Sequence, residues 1–293
     1  MFFNLRRIFL ASTLFFSLGI ASNVSAAEVD SIHFLIPGGA GGGWDGTARG
    51  TGEALTKAGL VGSASYENMS GGGGGKAIGY LIENASSNHG TLMVNSTPIV
   101  IRSLVGRFPH NFRDLTMIAG TIGDYAAIIA GKDSPYNNFA DLVAAYKADP
   151  SSVSIGGGSV PGGMDHLVAA MAMEAAGADP TKVKYIPFDA GGKLNAAILA
   201  GEVSAGSTGF SEAVALAKAG EMKILAVTSS KEFQHLKTLQ LWLNKAMMLH
   251  LSIGEVSLLH LDFQMIKLTH IEVLLQKCMI LANGKKSELE MDG

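Results

Sequence analysis

Cysteine and charge are both scarce in this chain of 293 residues. It contains one cysteine, which excludes an internal disulfide framework and any zinc or iron–sulfur site built from several cysteines. Charged residues make up 16% of the sequence and the formal net charge is −3, so no basic cluster points to a nucleic-acid partner. Apolar residues make up 47%, which is enough for a buried core and argues against a disordered chain.

Catalytic and metal-binding patterns are missing as well. The histidines show no paired ligand spacing such as H-E-x-x-H. Ser70–Lys76 resembles a phosphate loop, but it has a serine in place of the first glycine, and Ala77 stands where a magnesium-binding hydroxyl is needed. The motif Gly157-x-Ser159-x-Pro161 lacks the last glycine of a nucleophile elbow, so we expect Ser159 to hydrogen-bond a ligand. The sequence therefore predicts no catalytic residue, no metal and no cofactor.

Glycine, in contrast, is abundant, at 37 residues, against a usual share of about 7%. Three times a strand pattern runs into a glycine-rich loop and then a helix, at Pro37–Asp45, Asn68–Lys76 and Ile155–Asp165. In parallel sheets such loops share the carboxyl edge, where their N–H groups and the positive ends of the following helices can converge on an anion. Glycine also simply permits tight turns. Three loops in matching positions nevertheless favour an anion site.

The first 26 residues, Met1–Ala26, have the pattern of a secretory signal. Arg6 and Arg7 precede the apolar run Ile8–Ile20, and small residues before Ala27 predict cleavage after Ala26. A membrane span needs roughly 20 apolar residues, so this run favours a cleaved signal over an anchor. We expect export to the bacterial periplasm.

Strand and helix patterns alternate along the mature chain, which predicts an α/β fold with mainly parallel sheets. The predicted strands are residues 31–37, 63–68, 91–95, 116–119, 125–130, 153–155, 184–187 and 223–228. The predicted helices are residues 44–58, 76–83, 138–148, 164–176 and 194–200.

One motif leaves an enzyme as an alternative. Gly41-x-Gly43-x-x-Gly46 follows a predicted strand and fits the dinucleotide fingerprint, and Glu67 lies where a ribose-binding acid is expected. A nucleotide-dependent α/β enzyme therefore stays open. A signal for export of the unfolded chain argues against a diffusible nicotinamide cofactor.

An ordered set of short motifs resembles the receptors of tripartite tricarboxylate transporters, the Bug-type family of periplasmic binding proteins. The set consists of Pro37–Asp45 with Thr47–Arg49, Glu67–Asn68, Gly71–Gly75, Asn95–Ser96, Ile155–Ser159 and Phe188–Gly192. The resemblance covers roughly residues 29–237. The Gly-Gly-Gly-Trp-Asp variant at 41–45 is similar to the tricarboxylate branch of the family.

The resemblance implies a type II-like, two-lobed periplasmic binding protein, in which each lobe is a mainly parallel sheet flanked by helices. It implies a first lobe at 27–125, a second lobe at 126–229 and a return to the first lobe at 230–237. The chain would be a monomeric, non-enzymatic receptor that delivers a citrate-like di- or tricarboxylate to transporter membrane subunits. A carboxylate sensor for a signalling partner is a further alternative. The implied ligand contacts are Gly41, Gly42, Gly43, Trp44, Asp45, Asn95, Ser96, Gly158, Ser159 and Asp189.

The last 56 residues, Thr238–Gly293, differ from the rest in composition. They contain 13 leucines and the only cysteine, Cys278, but no proline. Reading each codon from the third base of one residue to the first two of the next, Met247–Met248 must encode aspartate. Permitted codons after Lys237 then give a family-like segment that includes N-W-R-G. We interpret residues 238–293 as an out-of-frame tail produced by a frameshift after Lys237; a genuine leucine-rich extension is the alternative.

Overall fold

The computed structural model describes residues 27, 29–229 and 247–248. Strands and helices alternate in this part of the chain, which confirms the α/β class. The strands form two sheets, of three and six strands. None of the helices described is long and apolar enough to cross a membrane.

The secondary structure consists of nine strands and seven α-helices within the described residues. The strands are β1 (Val29–Ile36), β2 (Val61–Asn68), β3 (Thr91–Met93), β4 (Ala126–Gly131), β5 (Ser154–Gly157), β6 (Lys184–Pro187), β7 (Ala205–Gly209), β8 (Met222–Val227) and β9 (Met247–Met248). The helices are α1 (Gly43–Lys57), α2 (Gly75–Glu83), α3 (Thr97–Leu104), α4 (Phe139–Ala148), α5 (Met164–Ala175), α6 (Ala190–Leu199) and α7 (Phe210–Lys218).

The first sheet is fully parallel, with the strand order β2-β1-β3. Because side chains alternate between the faces of a strand, Ile32, Phe34 and Ile36 of β1 share one face. All three are buried there in a core with Leu55 of α1. The register pairs Ile36 with Asn68 at the ends of β1 and β2, so the glycine loops after both strands begin at the same edge.

The second sheet has the order β6-β5-β7-β4-β8-β9, in which only β4 runs against the other strands. Ala126, Ile128 and Ala130 of β4 lie in the core formed with α4 and α5. Ala127 and Ile129 lie in the core formed with α6 and α7. Both faces of β4 are therefore covered, which explains its uninterrupted apolar sequence. This arrangement confirms a mainly parallel sheet flanked by helices.

Most predicted elements are found within a few residues of their expected bounds, but residues 116–119 are not a strand. A strand needs a neighbour for its backbone hydrogen bonds. Among the described residues, the first sheet ends at β3, and no strand pairs with 116–119. Four elements, α3, β7, α7 and β9, were not predicted. The sequence of β7, A-G-S-T-G, contains one β-branched residue, Thr208, and otherwise only small residues, two of them glycine, which is depleted in strands.

Apolar side chains are exposed along the segment that leads from α3 to β4. Leu104 is 71% exposed and Ile122 is 65% exposed, and Val105 and Met117 are also exposed. Large exposed apolar patches are typical of surfaces that another segment or protein covers.

Several predictions fall on residues outside those that the structure describes. These are the signal at 1–26, the return to the first lobe at 230–237, and the tail at 238–293 apart from β9. β9 pairs in parallel with the end of β8, Met247 opposite Ala226 and Met248 opposite Val227. The lobe bounds and the frameshift stay predictions.

Candidate functional site

The loop after β1 presents backbone donors at the start of α1. Gly41 has a left-handed φ of 77°, a conformation that strains any residue with a side chain. Gly42 caps the helix, because its carbonyl accepts the N–H of Gly46 at 2.9 Å. The first N–H groups of a helix have no partner within the helix backbone. The N–H groups of Gly41 and Gly43 therefore take acceptors from side chains.

Asp45 supplies one of these acceptors from within the same loop. Its Oδ2 accepts the N–H of Gly41 at 3.0 Å, and its Oδ1 accepts Arg49 Nε and Asn68 Nδ2, both at 3.0 Å. Burial acts to raise the pKa of Asp45, but these hydrogen bonds outweigh it and hold that pKa below its usual value. The ionised carboxylate thus ties the glycine loop to the end of β2. Its role as a ligand contact stays a prediction.

The N–H of Gly43 meets an acceptor from the second sheet's side of the molecule. It donates to Glu212 Oε1 at 2.6 Å, and Thr208 Oγ1 donates to Glu212 Oε2 at 2.6 Å. Glu212 lies in the first turn of α7, and Thr208 is buried in β7. Burial raises the pKa of Glu212, these two hydrogen bonds act against it, and the charge of Asp124 adds to the rise. The lobe built on the second sheet, here the second lobe, therefore places a carboxylate on the donor that the lobe built on the first sheet, here the first lobe, presents.

Glycine allows the two lobes to approach this closely. A Cβ on Gly43 would lie 2.7 Å from Glu212 Oε1 of the other lobe. Within the second lobe, a Cβ on Gly191, in the first turn of α6, would overlap Glu212 Oε2. A Cβ on Gly42 would lie 2.9 Å from the Cβ of Ala190. The loop after β1 and the start of α6 are thus in contact, and we call this junction between the two lobes, with Gly41–Gly43 on one side and Ala190–Gly192 on the other, the cleft.

The glycine run after β2 reaches the second lobe at two further points. All four residues from Gly71 to Gly74 have positive φ, a region that glycine adopts readily. Ser70 Oγ donates to Asp189 Oδ1. A Cβ on Gly73 would lie 3.1 Å from Val160 Cγ2, in the loop after β5. The three glycine loops expected from the sequence therefore meet in one cleft.

The loop after β5 carries hydroxyl groups into this cleft. Ser159 Oγ accepts the N–H of Asp165 at 2.9 Å, which ties the loop to the start of α5. Tyr185 donates its hydroxyl to the carbonyl of Ser159 at 2.7 Å. The carbonyl of Gly158 accepts the N–H of Ala190 at 3.2 Å, so the loop is also joined to the start of α6.

Asp165 is the most strongly perturbed acid near the cleft. Burial raises its pKa from 3.8 to about 7, the charge of Glu212 adds to this, and hydrogen bonds from Ser159 oppose it. Burial also raises the pKa of Tyr185 and lowers that of His166, whose ring stacks on Tyr185 with 4.5 Å between centroids. The raised pKa favours the uncharged, protonated form of Asp165, which repels an anion less than an ordinary aspartate does.

Trp44, Asn95 and Ser96 lie on the first-lobe side of the cleft. Trp44 packs partly buried against the core of the first sheet, and its indole N–H donates to Ser96 Oγ at 2.9 Å. Ser96 is the exposed N-cap residue of α3. Asn95 is partly buried in the turn between β3 and α3.

The positive side chains of two of these segments are already paired. Arg49 Nε lies 3.0 Å from Asp45 Oδ1, and Lys193 Nζ lies 3.4 Å from Asp189 Oδ2. At these two segments an anion would therefore meet mainly backbone N–H groups and hydroxyls, together with the positive ends of helices. Within the described residues, no three His, Cys, Asp or Glu side chains are grouped to hold a metal ion.

The structure brings most of the ligand-contact positions expected from the sequence close together. It also places three further side chains near them. Gly41–Gly43 face the start of α6, where Asp189 and the backbone of Gly158 also lie. Trp44, Asn95 and Ser96 lie together on the first-lobe side of the cleft. Sequence reasoning missed Glu212, Thr208 and Tyr185. Glu212 did leave a signal: like the acids at 45 and 165, it is in the first turn of a helix preceded by glycine.

The sequence profile described as "Tripartite tricarboxylate transporter family receptor" matches residues 48–247. No curated protein matches the chain. The structure of periplasmic binding protein BugD is 24% identical, with a TM-score of 0.59 over 72% of this chain and 68% of that one. MatC from Rhodopseudomonas palustris, solved with bound malate, is 19% identical, with a TM-score of 0.61 over 72% and 70%.

Another R. palustris protein, solved with adipate, is 21% identical, with a TM-score of 0.59 over 71% of this chain and 69% of that one. Likenesses at this level of identity show the fold. The fold of this chain is the two-lobed α/β fold of periplasmic binding proteins.

Proposed function

This chain belongs to the tripartite tricarboxylate transporter receptor family, and we propose that it captures a small di- or tricarboxylate in the periplasm and delivers it to the membrane subunits of such a transporter. The family consists of solute-binding receptors, not enzymes. The malate and adipate bound to two structures of the same fold support a carboxylate ligand, of which citrate is the candidate we favour. We expect the receptor to act as a monomer.

One observation carries the proposal. The N–H of Gly43 donates to a carboxylate oxygen at 2.6 Å, at the point where glycine-rich segments of both lobes meet. The carboxylate belongs to Glu212, yet the geometry is that of any carboxylate bound at a helix start. This supports the loop's capacity to bind the carboxylate of a ligand.

The donors near the cleft suit a receptor that must release what it captures. Backbone N–H groups and the hydroxyls of Ser96 and Ser159 orient a carboxylate without burying a full ion pair. A buried ion pair left without its partner on release costs about 3–5 kcal/mol. Water-bridged contacts to the same groups add affinity at a small entropic cost. In our proposal, the bound ligand is lined by the ten contact positions predicted from the sequence.

Calorimetry and tryptophan fluorescence on the mature chain test the proposal. Citrate, malate and adipate should bind and change the emission of Trp44, because its indole is bonded to Ser96 beside the cleft. NADH and ATP should give no heat of binding. Trp44→Phe should remove the fluorescence change while calorimetric binding persists.

A serine pair gives a matched control for the site. Ser159→Ala removes a hydroxyl from the loop after β5 and should weaken carboxylate binding about tenfold, the value of one hydrogen bond to a charged group. Ser151→Ala removes an exposed hydroxyl bonded to Asp149 and should leave affinity unchanged. Binding of nucleotides without carboxylates would favour the enzyme alternative. Carboxylate binding without uptake, when the membrane subunits are co-expressed, would favour the sensor.

A further inference from the structure

Glu212 occupies a donor that the proposed ligand also needs. Its Oε1 accepts the N–H of Gly43 at 2.6 Å, and Thr208 fixes the other oxygen. The carboxylate is wedged between Gly43 and Gly191, since a Cβ on either residue would collide with it. It therefore reaches from α7 to the point where Gly43 and Gly191 lie against it.

Two carboxylates cannot share this place. A single N–H makes one strong hydrogen bond, and the N–H of Gly43 is fully engaged by Glu212. Two unit negative charges about 4 Å apart in a partly desolvated site repel each other strongly. A ligand carboxylate can therefore take the donor only after Glu212 has left it.

A second hydrogen bond across the cleft runs in the same direction, from a donor in the first lobe to a carboxylate in the second. Ser70, in the first lobe, donates to the carboxylate of Asp189, in the second. At both points the first lobe supplies the donor and the second lobe supplies a carboxylate. Two carboxylates of the second lobe thus accept hydrogen bonds from the first lobe.

We propose that Glu212 is an internal substitute for the ligand, whose carboxylate holds the cleft closed until the ligand's carboxylate displaces it from Gly43. The inference rests on the proposed function, because it assigns the ligand to the same donor. It makes Glu212 a determinant of affinity that works by competition. The competing carboxylate weakens binding and favours release, and a ligand with one weakly held carboxylate would fail to displace it.

Two substitutions at this position separate competition from direct contact. Glu212→Ala removes the competitor and should raise the affinity for citrate or malate about tenfold, the value of a charged hydrogen bond no longer broken on binding. Glu212→Gln keeps an acceptor for Gly43 but loses the charge, so its affinity should lie between the two. Glu174→Ala, which removes an exposed carboxylate from α5 in the same lobe, is the matched control and should match the unaltered chain.

Small-angle scattering without any carboxylate provides a readout that does not depend on ligand binding. Glu212→Ala should increase the radius of gyration, because one of the contacts that close the cleft is lost, and Glu174→Ala should not. Circular dichroism checks that each variant is folded.

The outcomes distinguish failure of this inference from failure of the proposed function. Higher affinity of Glu212→Ala together with expansion supports the inference. Unchanged or lower affinity overturns it, since Glu212 would then be neutral or a direct contact of the ligand. If no variant binds any carboxylate, the proposed function fails, and an unchanged radius of gyration in that case also overturns the closing role of Glu212.

Discussion

Replacing Asp165 by asparagine tests the electrostatics of the cleft through the stability of the chain. Burial raises the pKa of Asp165 from 3.8 to about 7 in the folded chain, whereas an exposed aspartate in the unfolded chain ionises near about 3.9. Between these two pH values the folded chain holds a proton that the unfolded chain has lost. Unfolding then releases a proton, so it becomes more favourable as the pH rises.

The size of the effect follows from the two pKa values. Each pH unit between them corresponds to about 1.4 kcal/mol, so a pKa raised to about 7 corresponds to about 4 kcal/mol. Relative to Asp165→Asn, the free energy of unfolding of the unaltered chain should be highest near pH 4. It should fall by about 4 kcal/mol towards pH 7 and level off above that.

Urea unfolding between pH 4 and pH 8, followed by circular dichroism, measures this difference. Glu174→Gln removes the same charge from an exposed position on α5 and controls for net charge. The reasoning would be refuted if the difference between the unaltered chain and Asp165→Asn stayed constant within about 1 kcal/mol across the range.

Three further predictions concern packing, the glycine loop and the tail. Gly191→Ala should lower the free energy of unfolding, because the new Cβ overlaps Oε2 of Glu212. Glu212→Ala should relieve most of this loss, so a double-mutant cycle should show strong coupling between the two positions. Additive effects of the two substitutions would contradict the packing. Asp45→Asn should lower the free energy of unfolding by about 2 kcal/mol, since a buried charged acceptor of three hydrogen bonds is lost. The control Glu53→Gln removes an exposed carboxylate that pairs with Lys57, and it should change the free energy of unfolding far less. Resequencing the DNA from codon 225 to about 150 bases past the stop should reveal an alternative reading frame that encodes N-W-R-G. The protein made from the restored frame should bind less of an apolar dye than the present chain, because the restored segment should cover the exposed apolar side chains at residues 104–122. If no alternative frame encodes that segment, the leucine-rich tail is genuine.

Local sequence patterns were sufficient to locate most elements of the fold. Alternating apolar residues placed β1, and glycine runs placed the loops at Pro37–Asp45 and Asn68–Lys76 within three residues of their bounds. They failed at β7, where small residues carry no strand signal, and at 116–119, where an apolar run has no strand beside it among the described residues. Strand formation depends on partners distant in sequence, which local patterns do not contain.

Some residues of the candidate site could likewise be predicted from the sequence, and others could not. Glycines at 41–43 and 71–74 were expected to shape loops around an anion, because their backbone freedom is a property of the residue itself. Glu212 was missed because its partner, Gly43, is 169 residues away in the sequence. The pKa of Asp165 likewise depends on burial and on the charge of Glu212, which only packing determines.

The sequence by itself determined the class of the fold, the three glycine loops and the family to which the chain is similar, because these depend on residue types and their spacing along the chain. Tertiary structure decided which donors and acceptors meet. It brought the N–H of Gly43 to the carboxylate of Glu212, and Ser70 to Asp189. Contacts between separate lobes are set by how two sheets and their helices pack, and no local pattern in the chain records that arrangement.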